Sequence, residues 1–283
     1  MKITKVYEKF KDSAPLFKCP VCQSAVAFQN EASLVCQSRH TFDLSKAGYI
    51  NLLQKQVKTL YSKALFESRR RIFTAGFYDQ LTAALAEIIA AYAPEGVINV
   101  LDAGCGEGFF TTQLSGGSKA ARNVFAVDIE KEAVKLAARF ATGAKCFVAD
   151  LAQLPLQTGT MDVVINVFSP ARYEEFGRVL KRGGLIVKVV PQAFYLAELR
   201  DVVKGQLAKG AYSNADVLAL FEKNLDVLAV RRVRYTLPVT SEQVADFAGM
   251  TPMLFHLDSE QVNLGAVSEM TIDVDVLVGR FGV

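Results

Sequence analysis

From residue 97 onward, short runs of β-branched and aliphatic residues alternate with stretches whose apolar positions recur every three or four residues. Residues 97–101, 123–127, 145–149, 162–168 and 185–190 are rich in Val, Ile, Leu and Phe and too short for buried helices, so they predict strands. A stretch from about Phe109, and residues 130–140, 171–180 and 194–207, carry the helical period. Strands alternating with helices build βαβ units, and hence an α/β fold with a parallel sheet covered on both faces. Residues 227–237 and 270–278 differ: both are long and alternating, which predicts an antiparallel pair at one sheet edge. Upstream, residues 64–92 predict one or two helices, with Leu81, Leu85, Ile88 and Ile89 at helical spacing and Pro94-Glu95-Gly96 as the stop.

At 283 residues the chain has room for about two domains of roughly 150 residues each. Hydrophobic residues make up 51% and charged residues 22%, which supports a real core and excludes a disordered tail. No apolar run approaches the ~18 residues of a membrane span. The basic start Met1-Lys2-Ile3-Thr4-Lys5 is followed by more charge and not by an apolar signal core, so a cytoplasmic location is expected. The formal net charge of +3 is unevenly placed. Residues 1–75 hold 13 Lys and Arg against 5 Asp and Glu, or +8, which leaves −5 for residues 76–283. Such asymmetry points to a polyanionic partner for the basic part, against the competing explanation of a merely solvated basic surface.

Three of the five cysteines fall in one window. Cys19-Pro20-Val21-Cys22 is followed by Cys36 and His40, giving C-x2-C-x13-C-x3-H, the spacing of a structural zinc site. Residues 23–35 suit the intervening hairpin, with Gln29-Asn30-Glu31 as its turn. A disulfide is disfavoured without a secretory signal, and a redox C-x-x-C would be expected beside a βαβ unit. Four protein ligands leave no open coordination position, so the metal would be structural.

The first predicted strand runs into Asp102-Ala103-Gly104-Cys105-Gly106-Glu107-Gly108. Its glycine spacing differs from the G-x-G-x-x-G that receives a pyrophosphate, which argues against a nicotinamide-dependent oxidoreductase. An acidic residue before the turn would repel phosphate and pair with a cationic amine, which favours S-adenosylmethionine. Asp128 ends the second strand, where a ribose diol can be held bidentately, and Asp150 ends the third, near the expected adenine. Three carboxylates at successive strand ends predict a class I, Rossmann-like methyltransferase.

The cysteine–histidine knuckle, residues 42–53, Arg69-Arg70, Ala75-Gly76-Phe77-Tyr78, residues 101–110 and Met250-Thr251-Pro252 together resemble the RlmA (RrmA) family of 23S rRNA (guanine-N1)-methyltransferases. The resemblance runs from the knuckle almost to the C-terminus. It implies a zinc-binding, RNA-recognition domain at 1–55, a helical linker and cap at 56–95, and a methyltransferase domain at 96–283. It also implies a homodimer framing a basic cleft and a single methylated guanine in an RNA hairpin. By position it makes Cys19, Cys22, Cys36 and His40 zinc ligands, and puts Tyr78, Gly106, Glu107 and Tyr195 at the cofactor. Two departures stand out: Tyr195 replaces a histidine of some relatives, and Leu60-Tyr61-Ser62-Lys63 replaces a Gly-Asp-Ser stretch.

Guanine N1 carries a proton, so transfer needs its removal, and positioning must supply much of the rate. The stretch Asn166-Val167-Phe168-Ser169-Pro170-Ala171-Arg172 lies where such enzymes meet the target base. It lacks the N-P-P-Y pattern of amino-methylating enzymes. No general base is evident; Arg172 is a candidate to stabilise charge on guanine O6, and His256 is expected to be a surface or cleft residue. Lys46, Lys55, Lys58, Lys63, Arg69 and Arg70 are candidates for RNA phosphates. Arg69, Arg70 and Arg71 cannot all face one way on a helix, so at least one is expected to face RNA and another to pair with an acidic neighbour. Phe42, Tyr49 and Phe77 are expected in the core before they are expected to stack on bases. The alternatives are a small-molecule or protein methyltransferase with a zinc accessory domain, and a non-catalytic zinc-ribbon RNA-binding protein.

Overall fold

The computed structural model describes residues 1–55, 61–116, 122–141, 143–203, 213–251 and 264–282. The chain opens with helix α1 (Ile3–Phe10), which buries Val6 and Phe10. A three-stranded antiparallel sheet follows, made of β1 (Val26–Gln29), β2 (Ser33–Cys36) and β3 (Thr41–Asp43). Its first hairpin turns at Asn30 and Glu31, both at positive φ (51° and 55°), within the predicted turn. The sequence did not reveal that β4 (Tyr49–Asn51) leaves this ribbon and pairs in parallel with a strand of the main sheet.

Helix α2 (Lys63–Ile72) is capped by Ser62, whose Oγ accepts the Leu65 N–H. A π-type turn at Phe73–Phe77 separates it from α3 (Asp79–Tyr92). Gly76 supplies the positive φ of 88° that the kink needs. Leu81, Leu85, Ile88 and Ile89 form the buried face of α3, as their spacing predicts.

The alternating part of the chain follows as β5 (Ile98–Ala103), α4 (Phe109–Gly116), β6 (Arg122–Asp128), α5 (Lys131–Phe140), β7 (Lys145–Val148), β8 (Met161–Val167), α6 (Tyr173–Val179) and β9 (Leu180–Pro191). Helix α7 (Ala197–Val202) starts three residues later than predicted, because 193–196 form a turn. Val203 ends it in a turn, and residues 204–207 of that predicted helix lie outside the described residues. Helix α8 (Ala215–Asn224) and helix α9 (Ser241–Met250), which a Thr240–Gln243 capping box opens, flank β10 (Asp226–Pro238). Strand β11 (Glu269–Arg280) closes the chain.

The main sheet runs β10-β11-β9-β8-β5-β6-β7-β4. Only β11 runs against its neighbours, which gives the antiparallel edge that the long alternating runs predict. Sequence order reverses between β5 and β8, and such a switch point opens a crevice beyond the carboxyl ends of the strands. Two apolar layers cover the sheet, one against α3, α4 and α9 and the other against α6 and the ribbon. The ribbon is part of that second layer: the Phe17 ring lies 5.9 Å from Phe125 and 5.4 Å from Phe147, both on the sheet. Tyr49 and Phe77 are buried in the first layer and Phe42 packs against the second, so these aromatic residues serve the core. Among the described residues no helix is long and apolar enough to cross a membrane.

Candidate active site and metal centre

The ribbon turns bring Cys19, Cys22, Cys36 and His40 together, with their ligand atoms all within 4.8 Å of one another. Cys22 Sγ lies 3.6 Å from Cys36 Sγ, and His40 Nδ1 lies 3.3 Å from Cys36 Sγ and 3.5 Å from Cys19 Sγ. A tetrahedral zinc with bonds of ~2.3 Å to sulfur and ~2.0 Å to nitrogen would space its ligands by roughly these amounts, so the donor set fits the metal. The Ser24 hydroxyl, 3.1 Å from Cys22 Sγ, holds that thiol down to about 5, ready to bind as thiolate. The His40 N–H, donating to Cys36 Sγ at 3.3 Å, secures a second ligand.

The crevice at the switch point is built on the glycine turn after β5. The Gly104 and Cys105 N–H groups both donate to the Val127 carbonyl at 2.9 Å, binding the turn to the end of β6. The Gly106 N–H donates to Asp128 Oδ2 at 2.9 Å. Gly108 packs so tightly on α5 that a Cβ there would lie 2.6 Å from Ala137 Cα. Asp102, Gly104, Gly106, Glu107 and Tyr195 line the resulting cleft. The other cofactor candidates are not among its walls. Both carboxylate oxygens of Asp128 already take backbone N–H groups, from Gly106 and Glu130, so its side chain braces the loop. Asp150 is exposed and caps the following turn through the Ala152 N–H. Tyr78 is fully buried, with its hydroxyl 2.6 Å from that of Tyr195.

The three successive arginines separate as helical geometry demands. Arg69 lines the cleft and reaches the Met250 carbonyl at 3.5 Å. Arg70 lays its guanidinium on the Phe140 ring, 3.3 Å from the centroid. Arg71 pairs with Asp246. Neither Arg69 nor Arg70 therefore stands on an open phosphate-facing surface, unlike Lys46, Lys55 and Lys63, which are exposed. Lys63 also pairs with Glu67. Lys58, His256 and Pro252 lie outside the described residues. Arg172 is exposed at the start of α6 and does not line the cleft. Pattern reasoning missed Phe73 and Leu196 as cleft walls; Phe168 lies in the stretch expected at the target base, and Phe110, Met250 and Thr251 lie in segments that carry the family resemblance. Tyr61, in the stretch that departs from relatives, also borders the cleft.

The charges in this cleft suit a zwitterionic, sulfonium-bearing ligand. Burial pushes Asp102 up to about 7, against the Thr111 hydroxyl that donates to it at 2.5 Å. Burial likewise lifts Glu107 to about 7, although Arg69 and Arg70 pull it down. Glu107 Oε1 and Arg70 Nη1 are buried with no hydrogen-bond partner among the described residues. An ammonium would meet Asp102 and Glu107, and a carboxylate would meet Arg69, so the residues fit the methionine end of S-adenosylmethionine. If so, affinity for it should rise from pH 6 to pH 8 as both carboxyls ionise, by up to about tenfold across that range for each one engaged. Titration calorimetry across that range checks this, and a flat dissociation constant removes both groups from the ammonium. For the free protein the sign is opposite. Carboxyls that ionise at about 7 when folded and near ~4 when unfolded destabilise the fold as pH rises through that window.

Comparison with known proteins agrees with both sites. Residues 17–60 match the family model of the RlmA N-terminal zinc ribbon, and residues 100–184 match a methyltransferase domain model. YxjB of Bacillus subtilis (strain 168), provisionally named a 23S rRNA (guanine-N(1)-)-methyltransferase, is 35% identical over 272 residues, covering 93% of this chain and 96% of its own. The 23S rRNA (guanine(748)-N(1))-methyltransferase of Streptomyces fradiae is 28% identical over 278 residues, covering 95% of this chain and 98% of its own.

Proposed function

The chain belongs to the family of 23S rRNA (guanine-N1)-methyltransferases with an RlmA-type zinc ribbon, and from that premise we propose that it methylates N1 of one guanine in a hairpin of large-subunit ribosomal RNA. The observation that carries this reading is a Cys3His ribbon packed onto the methyltransferase sheet through Phe17, in a chain alignable with its relatives over nearly their whole length. S-adenosylmethionine supplies an electrophilic methyl group on a sulfonium. Asp102 and Glu107 would take its ammonium and Arg69 its carboxylate, while Asp128, half-buried beside the turn, would offer its remaining lone pairs to the ribose. Tyr195, held by Tyr78, stands with Phe168 at a ring separation of 5.3 Å on the side where the base must enter.

A guanine within a helix is out of reach, so the target is a splayed base, which aromatic walls can hold by stacking. In the transfer the N1–carbon bond forms as the carbon–sulfur bond breaks, sulfur keeps the electron pair, and the N1 proton leaves. Fixing N1, carbon and sulfur in line is the protein's main contribution. Arg172 remains the candidate for charge on O6; a normal turnover rate in Arg172→Ala would remove it. Lys46, Lys55 and Lys63 supply phosphate contacts whose strength falls with salt. The reading takes the protein as a cytoplasmic homodimer, which sedimentation at twice the chain mass would support.

N1 lies on the Watson–Crick edge, so its methylation blocks reverse transcription. Primer extension on unmodified 23S rRNA, incubated with protein and S-adenosylmethionine, should show one new stop. Several scattered stops, or none, would contradict the reading. The Streptomyces fradiae relative is named for guanine 748; a stop there or at a neighbouring guanine decides the subgroup.

A further inference from the structure

Lys188 lies inside β9, on the face that also carries Ile186 and Val190, and only 4% of it reaches solvent. An ammonium so placed is costly unless it is well hydrogen-bonded. Burial, with no charged neighbour contributing, brings this amine down to about 8. Its Nζ donates to Asn166 Oδ1 at 2.6 Å and to the Ser169 carbonyl at 2.9 Å. Asn166 is itself fully buried and stands directly opposite Lys188 in the β8·β9 register. Its amide donates to the Ala103 carbonyl at 2.8 Å and to the Pro170 carbonyl at 3.4 Å. Two buried polar side chains thus tie the carboxyl ends of β5 and β8 to β9, directly beneath the crevice.

The loop they hold needs the restraint. Phe168 sits at φ 52°, a left-handed conformation that disfavours a residue bearing a side chain. Its ring is a cleft wall, 5.3 Å from that of Tyr195. Ser169 presses on the glycine turn: a Cβ on Gly104 would lie 2.1 Å from Ser169 Oγ. Any slackness here would move both the wall that faces the base and the cover of the glycine turn.

We propose that Lys188 is a positioning residue for methyl transfer, which holds Phe168 and Ser169 against the glycine turn through the Ser169 carbonyl and Asn166. The proposal rests on reading this cleft as the methyl-transfer site. In Lys188→Met, a side chain of similar reach replaces a buried ammonium, and the relief of that burial offsets the orphaned Asn166 and Ser169 oxygens, so the melting temperature should change little. Hydrogen exchange should quicken in residues 166–172, beginning with the Phe168 N–H that donates to the Val189 carbonyl at 3.2 Å. The kcat for transfer to rRNA should fall about 10²-fold, the usual cost of misplacing a reacting group by about an ångström, with KM for S-adenosylmethionine little changed. Asn166→Leu/Lys188→Met, which leaves no orphaned Asn166 oxygen, should be no slower than the slower single variant, because both residues serve one network. Unchanged exchange with unchanged kcat would overturn the proposal. So would strictly additive losses, or a kcat loss that only follows a loss of folded protein. If the unaltered protein transfers no methyl group, the functional reading fails instead, and the exchange result still decides whether Lys188 holds the loop.

Discussion

Replacing Cys36 with serine should release the zinc and melt the ribbon while the methyltransferase sheet stays folded. Cys36 is buried at the centre of the cluster: its Sγ is 3.6 Å from Cys22 Sγ and 3.3 Å from His40 Nδ1, and it takes the His40 N–H. Structural zinc contributes about 10–16 kcal/mol to the folding of zinc-finger peptides. The ribbon's own apolar contribution, chiefly Phe17, Leu34 and Ile50, is too small to replace that. The other seven strands of the main sheet do not run through the ribbon, and β4 sits at its far edge. Bound zinc should therefore drop from one per chain to none, and RNA affinity should fall while S-adenosylmethionine still binds. The melting temperature should also fall, because Phe125 and Phe147 lose their cover. Zinc retained at one per chain would show that Cys36 is not a ligand.

Gly104→Ala should abolish cofactor binding at a cost to stability of about 1–3 kcal/mol, the range for overpacking a close-fitted site. The new Cβ would lie 2.1 Å from Ser169 Oγ and 2.5 Å from Ser169 Cβ, at a φ of 84° that disfavours any side chain. Either the glycine turn or the Phe168–Ser169 loop must yield, and both border the cleft. Gly159→Ala is the control: its φ is also positive at 67°, yet nothing lies within 4 Å of a Cβ there. It should carry only the backbone cost of roughly 1–2 kcal/mol and leave binding intact. Adding Ser169→Gly to Gly104→Ala should restore part of the affinity, since it removes the colliding atoms. Calorimetry on the three variants checks this, and undiminished binding by Gly104→Ala would move the cofactor away from this turn.

What the sequence made legible is what is local. The zinc spacing, the glycine turn and the five parallel strands are each written within a few consecutive residues, where periodicity and turn chemistry act. Asp128 shows the limit of that reading. Its place at a strand end is visible in sequence, but its two backbone partners, Gly106 and Glu130, are known only once the turn is folded. Arg70 reads as a phosphate ligand by charge, and the fold spends it on Phe140. Strand β4 was hidden because three residues carry too little pattern to distinguish an edge strand from a loop. Cleft walls such as Phe73, Phe168 and Thr251 come from segments far apart in the chain, brought together by the sheet and by α2 against α9. Lys188 is the sharpest case: a lysine in a strand reads as exposed, and only the register opposite Asn166 explains why it is buried.

The central claim is tested most directly by incubating the protein with labelled S-adenosylmethionine and unmodified 23S rRNA, then digesting the RNA to nucleosides for mass spectrometry. The account predicts one labelled product, 1-methylguanosine, at no more than one per rRNA. Label on an exocyclic amine or a ribose, or no labelled nucleoside from a protein that binds the cofactor, would contradict it.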